Sequence, residues 1–174
     1  RAIYGYVWKD PIRKAHQINI LSFNFVQPIA ITQEFTDSSK NNPTLQKAVE
    51  KQFIIGSTYS FTYSPFVGAV NSSGLYFNGT LDLSGNIPGL LSGADAKGGK
   101  TSKIFNAVFS QYIKAQADVR YYMKTGNNAF WVNRFVAGYG LPYGNSTALP
   151  FIKQFFAGGN NSIRAFRSRS VGPG

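Results

Sequence analysis

The acidic side chains are the first candidates for chemistry, because two carboxylates can serve as general acid and general base. The chain contains seven Asp and Glu residues. Of these, Asp82 and Asp118 lie in segments that could face a common polar interior. No substrate-binding residues can be identified near either of them in the sequence. The sequence therefore favours ion pairing with Arg120 or Lys114 over catalysis, and it predicts that these four side chains point into the interior.

The chain contains few residues that could support nucleophilic, redox or metal chemistry. The single histidine, His16, has no serine, carboxylate or second histidine close to it in the sequence, so neither a catalytic triad nor a histidine-rich metal site is indicated. The chain has no cysteine, which excludes disulfides, thiol catalysis and cysteine-ligated metals. We therefore expect no cofactor and no enzymatic activity, and we interpret His16 as an ordinary strand residue.

A glycine-rich segment, 93–101, has some features of a phosphate-binding loop. Ala94 occupies a position where that motif requires glycine, and no parallel strand and following helix are predicted around it. We expect a flexible, solvated loop instead. Four matches to the glycosylation sequon, at Asn71, Asn78, Asn145 and Asn160, are attributed to chance in a chain rich in Asn and Ser.

The elements that position these residues are expected to form one ordered domain. The chain has 174 residues, of which 43% are hydrophobic and 16% aromatic, and this composition excludes wholesale disorder. No apolar run approaches the roughly 18 residues of a membrane-spanning helix, and the N-terminus lacks the apolar core of a signal peptide. A formal net charge of +11 makes nucleic-acid binding an alternative function for the chain. Because the basic residues are spread along the chain, we expect no nucleic-acid partner.

Alternation of apolar and polar residues predicts about six β-strands. In the clearest one, 75–84, Leu75, Phe77 and Leu81 share one face while Asn78, Thr80 and Asp82 share the other. The predicted strands are 2–9, 14–26, 53–64, 75–84, 109–122 and 129–140. Strand 109–122 carries Gln111 on its otherwise apolar face.

Short and long connections alternate between these strands. The connections 10–13, 65–73 and 123–128 are short, whereas 28–52, 87–106 and 141–174 are long. Within the first long connection, 43–51 is predicted to form a short helix. Long two-faced strands, with turns at one end and long loops at the other, are typical of an outer-membrane β-barrel. A water-soluble β-sandwich is the alternative, disfavoured by the strand lengths and by the charges on the polar faces.

The tail of the chain carries the most specific motif. Its residues in order are Phe155-Phe156, Gly158-Gly159, Ile163-Arg164-Ala165-Phe166 and Gly172-Pro173. This order closely resembles the motif-bearing extracellular loop of the BamA/TamA outer-membrane assembly superfamily, and Gly138-Tyr139-Gly140 ends a strand just upstream, as in that family. Ala165 departs from the family's usual glycine. The Arg-Ala-Phe form, with Gly144-Asn145-Ser146 upstream, resembles the assembly-module lipoproteins of the Bacteroidetes.

The resemblance implies a fold for the chain. It would supply about six strands of an antiparallel transmembrane barrel of roughly sixteen, which makes the fold class all-β. Residues 1–140 would form transmembrane strands with alternating short periplasmic turns and long extracellular loops, and 141–174 an extracellular loop that folds into the lumen. Because an open membrane sheet leaves unpaired edges in lipid, we expect the chain to be a piece of a longer barrel.

The resemblance also implies roles for the motif residues. Arg164 would pair with acidic residues on later strands, since a guanidinium makes bidentate hydrogen bonds to a carboxylate. Gly158 and Gly159 would permit a sharp backbone path, and Phe166 would pack against rings in the lumen. Gly172-Pro173 would turn the chain back toward the barrel wall.

The function implied is non-enzymatic assembly, insertion or translocation of other outer-membrane or surface proteins, at the bacterial outer membrane. The expected partners are outer-membrane lipid, nascent outer-membrane proteins as clients, and periplasmic or lipoprotein subunits. A two-partner secretion transporter of the same superfamily is an alternative function. A basic nucleic-acid-binding β-domain is an alternative of another class.

Overall fold

The fold is described from a computed structural model, which covers residues 1–10, 13–26, 33, 51–64, 73–104, 106–127, 129–159 and 162–167. The elements in chain order are β1 (Ala2–Lys9), β2 (Lys14–Val26), β3 (Gln52–Tyr63), β4 (Gly74–Ser84), α1 (Asn86–Ser92), β5 (Lys103–Ile104), β6 (Ala107–Phe109), β7 (Tyr112–Lys124), β8 (Phe130–Pro142) and a single 3₁₀ turn, Phe151–Lys153. The predicted all-β class is confirmed. Within the described residues, no helix is long and apolar enough to cross a membrane.

One antiparallel sheet contains the six long strands, in the order β1–β2–β3–β4–β7–β8. The short connections join neighbouring strands at one end of the sheet, here called the turn end, and the long connections lie at the other, the loop end. At the loop end, β6 extends the sheet by pairing in parallel with β3, and β5 pairs with β6. The short helix predicted at 43–51 falls almost entirely outside the described residues.

The strand register separates a polar face from an apolar face. On the polar face Thr58, Asp82 and Lys114 are cross-strand neighbours, as are Asn78 and Asp118 four residues further along β4 and β7. On the opposite face large side chains are exposed along most of the sheet: Tyr4, Tyr6, Trp8, Tyr59, Leu75, Leu81, Tyr121, Met123, Trp131, Phe135, Tyr139 and Leu141. Among the described residues no second sheet packs on this apolar face. This arrangement differs from the sandwich alternative, in which the apolar face is buried.

The predicted strand 109–122 is interrupted, which corrects the sequence interpretation. β6 ends at Phe109 and β7 begins at Tyr112, with Ser110 and Gln111 buried between them. The backbone N–H of Ser110 still donates to the carbonyl of Phe53 on β3, whereas Tyr112 pairs with Ser84 on β4. The chain changes its pairing partner at this point, and the buried side chain of Gln111 accepts a hydrogen bond from the backbone N–H of Asn145.

The glycine-rich segment 93–101 forms a hairpin that is largely exposed, as expected of a solvated loop, and Ala94 is buried at its base. Asp95 and Lys100 exchange both backbone hydrogen bonds, each 2.8 Å long. Ala94 is buried in a small core with Phe53, Ala107 and Phe109. The alanine that breaks the phosphate-loop pattern therefore has a packing role, whereas most of the other residues of the hairpin are exposed.

Candidate functional site

Residues 149–155, here called the docked segment, lie against the polar face of β8. A Cβ on Gly140 would be 2.5 Å from Leu149 Cδ1, and a Cβ on Gly138 would overlap the ring of Phe155. Both glycines alternate with the apolar-face residue Tyr139, so they lie on the polar side of the sheet. Because glycine has no side chain, Gly138 and Gly140 leave a notch in the polar face. This notch allows the tail to approach the backbone of the strand.

An ion pair holds the docked segment to the centre of the sheet. Lys153 Nζ lies 2.5 Å from Asp82 Oδ2 on β4. The Thr58 hydroxyl donates to Asp82 Oδ1 at 3.3 Å, and the Tyr112 hydroxyl donates to Asp82 Oδ2 at 3.4 Å. Asp82 is buried. A carboxylate that is largely removed from water needs both a cation and hydrogen-bond donors, and Lys153 supplies the cation from 71 positions along the chain.

Lys114 adds two further contacts between the sheet and the tail. Its ammonium group donates a 2.8 Å hydrogen bond to the backbone carbonyl of Lys153. The same nitrogen lies 4.2 Å from the centre of the Phe155 ring, within the range of a cation–π interaction. The sequence placed Lys114 on the inner face as an ion-pair partner for a carboxylate. In the structure it also contacts the backbone and the aromatic ring of the docked segment.

A second charged cluster lies nearer the turn end of the polar face. Asp118 Oδ2 accepts hydrogen bonds of 2.8 Å from the terminal nitrogens of both Arg120 and Arg134. Asp118 Oδ1 accepts from the Nε atoms of the same two residues, at 3.1 and 3.2 Å. Each guanidinium is thus bidentate to one carboxylate. Arg120 also lies 5.0 Å from the centre of the Tyr76 ring.

Sequence reasoning singled out Asp82, Lys114, Asp118 and Arg120 but missed Lys153 and Arg134. Arg134 could have been found by counting residues back from the turn of the β7–β8 hairpin. In this hairpin Arg120 and Arg134 are register partners on the same face. Lys153 has no comparable local signal, since it lies in a segment without alternation. With Lys153 and Arg134 included, four cations surround the two carboxylates Asp82 and Asp118, and the polar face carries net positive charge.

Asn145 ties together the connections at the loop end. Its side-chain oxygen accepts from the backbone of Ser102, and its side-chain nitrogen donates to the carbonyls of Ser102 and Phe109, with all three distances between 2.8 and 2.9 Å. The backbone N–H of Asn145 donates to Gln111 Oε1 at 3.0 Å. Only 2% of Asn145 is exposed. The residue therefore acts as a structural node, and it is inaccessible as a glycosylation acceptor.

Beyond the aromatic pair of the motif, Gly158-Gly159 and 162–167 form a second compact unit that we call the motif turn. Gly158 and Gly159 have φ angles of 97° and 91°, a conformation that favours glycine. The N–H of Gly159 donates to the carbonyl of Phe166 at 2.8 Å, and the N–H of Phe166 donates to the carbonyl of Ile163 at 3.1 Å. The backbone closes the motif on itself, with both glycines at the closure.

The side chains of the motif turn point into solvent. Ile163, Arg164, Ala165 and Phe166 are all exposed. Among the described residues, no carboxylate forms an ion pair with Arg164. The predicted pairing of Arg164 and the predicted packing of Phe166 against lumen rings therefore stay predictions. Gly172 and Pro173 lie outside the described residues.

His16, the remaining candidate for chemistry, is packed among aromatic side chains. His16 lies in β2, stacked on Trp8 with ring centres 4.9 Å apart, and its Nδ1 shares a 2.8 Å hydrogen bond with the hydroxyl of Tyr59. Within the described part of the chain, no group of three or more His, Cys, Asp or Glu residues is arranged to hold a metal ion.

Comparison with known proteins identifies the family. The sequence model of the Omp85 superfamily domain matches residues 72–174, which include β4, β7, β8, the docked segment and the motif turn. No solved structure matches the chain. Because the match covers more than half of the chain, from the middle of the sheet to the tail, the chain belongs to the Omp85 superfamily of bacterial outer-membrane β-barrel proteins that assemble or translocate other proteins.

Proposed function

We propose that this chain forms part of the wall of a barrel that inserts, assembles or translocates other outer-membrane or surface proteins, without enzymatic activity of its own. The observation that carries the proposal is the two-faced sheet, whose polar face holds the chain's own tail through Lys153 and Asp82. The turn end would face the periplasm and the loop end the cell exterior. The proposed environments are lipid on the apolar face and a hydrated lumen on the polar face.

The exposed apolar face supports the lipid assignment. Phe135 and Tyr139, which both lie within β8, are 67% and 66% exposed. Rings in such positions are unfavourable in water but favourable in a bilayer, and tyrosine and tryptophan are typical of its interfaces. Backbone hydrogen-bonding groups between neighbouring strands are paired along the sheet, as a strand in hydrocarbon requires.

The docked segment supports the lumen assignment. It shields Asp82, whose charge would be costly beside lipid, and it neutralises this charge with Lys153. Both carboxylates of the polar face are bonded to cations, an arrangement suited to bracing a wall and not to proton transfer. We extend the proposal to Arg164, whose exposed guanidinium would make a bidentate pair with a carboxylate on another strand of the barrel.

The test is a client-insertion assay with the complete gene product. Vesicles that contain the protein and vesicles without it receive a urea-unfolded outer-membrane barrel protein, and insertion is followed by resistance to added protease. We expect faster insertion with the protein present. The proposal is wrong if folded, correctly oriented protein gives the rate of the empty vesicles for every outer-membrane client. Acceleration of a single dedicated secreted client, with no effect on outer-membrane clients, would favour the two-partner secretion function instead.

Within the superfamily we propose the lipoprotein branch, because the chain carries the Arg164-Ala165-Phe166 form of the motif with Gly144-Asn145-Ser146 upstream, and the upstream residues have a specific structural role. The φ of 52° at Gly144 and the buried hydrogen bonds of Asn145 both demand these residue types. Growth of the source organism with radiolabelled palmitate tests this proposal directly. Label in the purified protein supports the branch, and its absence, with a known lipoprotein of the same cells labelled, contradicts it.

A further inference from the structure

The short helix α1 lies on the apolar side of the sheet at its loop end. Gln111 precedes Tyr112, whose hydroxyl reaches Asp82 on the polar face, so the side chain of Gln111 points to the opposite face. Gly89, in the middle of α1, packs against this Gln111 side chain so closely that a Cβ would overlap it. The hydroxyl of Tyr143 donates to Asn86 at the start of the helix. The helix thus covers the Gln111 side chain at this end of the apolar face.

The outer surface of α1 is strongly apolar and uncovered by described residues. Leu90 and Leu91 are 86% and 85% exposed, and Ile87 is 69% exposed. The helix has no charged residue, since its sequence is NIPGLLS. Three large aliphatic side chains project from a helix of two turns, where a water-facing loop would ordinarily carry polar residues.

The surface of α1 is continuous with the apolar face of the strands. A groove of about 200 Å³ runs between the helix and the sheet. Its apolar lining comes from both sides, with Ile87 from the helix and Ile20, Leu21, Ile55 and Leu83 from β2, β3 and β4. The environment that covers the strand face therefore also reaches the inner side of α1, at the level where the strands end.

The hairpin 93–101 that follows α1, together with the start of β5, carries basic residues. Lys97, Lys100 and Lys103 are exposed, and Asp95 is the only acidic residue between Ser92 and Lys103. Lysines beside an apolar helix face are typical of segments at a membrane interface, where the ammonium groups meet lipid phosphates and the apolar side chains enter the acyl region.

We propose that α1 is an interfacial anchor whose Ile87, Leu90 and Leu91 insert among the acyl chains of the leaflet on the loop-end side. This is the outer leaflet in the orientation proposed above. The anchor would hold the loop-end core and the Asn145 node at a set depth in the membrane. The inference depends on the membrane orientation of the barrel and is independent of client handling, so the insertion assay and the experiment below can fail separately.

Nitroxide labels test the proposal. A label is attached to a cysteine at Leu90 in the complete gene product, with any cysteine elsewhere removed, in vesicles of phosphatidylcholine and phosphatidylglycerol. Collision with oxygen, which concentrates in lipid, is compared with collision with a water-soluble nickel complex. Leu81→Cys on the apolar face of β4 is the lipid control, and Lys97→Cys is the water control. Leu91→Cys provides a second position on α1, should the Leu90 variant fail to fold.

We expect labels at Leu90 and Leu91 to collide preferentially with oxygen, as the Leu81 label does, and the Lys97 label to collide preferentially with the nickel complex. Two results would overturn the proposal. A water-like profile at Leu90 and Leu91 would place the helix above the bilayer. Protection from both reagents would mean that a protein surface, not lipid, covers α1.

Discussion

The docked segment and the motif turn are adjacent parts of the same tail, yet they are held in different ways. The docked segment depends on the sheet, through the Gly138 notch and the Lys153–Asp82 ion pair. The motif turn depends on its own backbone, through the hydrogen bond from Gly159 to Phe166, and its side chains are exposed. The motif is therefore divided: Phe155 of its aromatic pair helps to attach the tail to the sheet, whereas Gly158, Gly159 and 162–166 are held by their own backbone.

This difference has a physical reason. Attachment to the sheet requires side chains that fit the notch and one buried charge pair. Many sequences could meet these two requirements. The motif turn combines positive φ angles with an exposed guanidinium, and few residue types meet those needs together. The exposed side chains of Arg164 and Phe166 are thus available to act on something other than the described strands.

The largest expected loss of stability comes from filling the notch at Gly138. Gly138→Leu places a side chain where the Phe155 ring lies, so the docked segment must leave the sheet and expose Asp82. We expect a loss of about 3 kcal/mol in the free energy of unfolding, measured by urea denaturation of the complete gene product in lipid. Ala137→Leu is the matched control, because the neighbouring side chain points to the apolar face. Equal losses in the two variants would contradict the docking geometry.

Removal of the tail's cation should have the next largest effect. Lys153→Met keeps the length of the side chain but leaves the Asp82 carboxylate without its ion pair. We expect a loss of about 2 kcal/mol. The double variant Asp82→Asn with Lys153→Met should recover part of this loss, since the buried charge is then gone. Lys97→Met, on the exposed hairpin, should leave stability unchanged; a Lys97 effect as large as that of Lys153 would refute the assignment.

The second charged cluster should tolerate single changes. Asp118 is bonded to both Arg120 and Arg134, so either arginine can remain as its partner. We expect Arg120→Gln and Arg134→Gln each to cost about 0.5 kcal/mol. The double variant should cost more than the sum, because it leaves Asp118 without a cation. Strict additivity in urea denaturation would show that the two arginines act independently of the shared carboxylate.

The smallest effect on stability is expected in the motif turn. Arg164→Ala should change the free energy of unfolding by no more than about 0.5 kcal/mol, because the side chain is exposed and the turn is closed by backbone groups. Its effect should be on function, as a lower rate in the client-insertion assay. Arg169→Ala is the control and should do little. Equal rates for the two variants would remove the special role proposed for Arg164.

The positions of polar-face residues that lie in alternating strands were predictable from the sequence. Asp118 and Arg120 were expected as a charged pair on an inner face because they are two positions apart in an alternating strand, and they are bonded in the structure. Arg134 follows from the same logic extended across a hairpin. Gln111 was recognised as an exception to alternation, but the change of pairing partner that it marks depends on β3 and β4, which are distant in sequence.

Apart from the break at Ser110 and Gln111, the amino-acid sequence by itself determined the long strands, their two faces and the resemblance to the family, because alternation and a compact motif are local properties of the chain. Only the tertiary structure decided that Lys153 pairs with Asp82, that Gly138 is a notch for Phe155, and that Asn145 joins the loop-end connections. Each of these contacts joins residues from segments without a shared pattern. Their partners are selected by the space and the unpaired polar groups that remain once the sheet has formed, and these exist only in three dimensions.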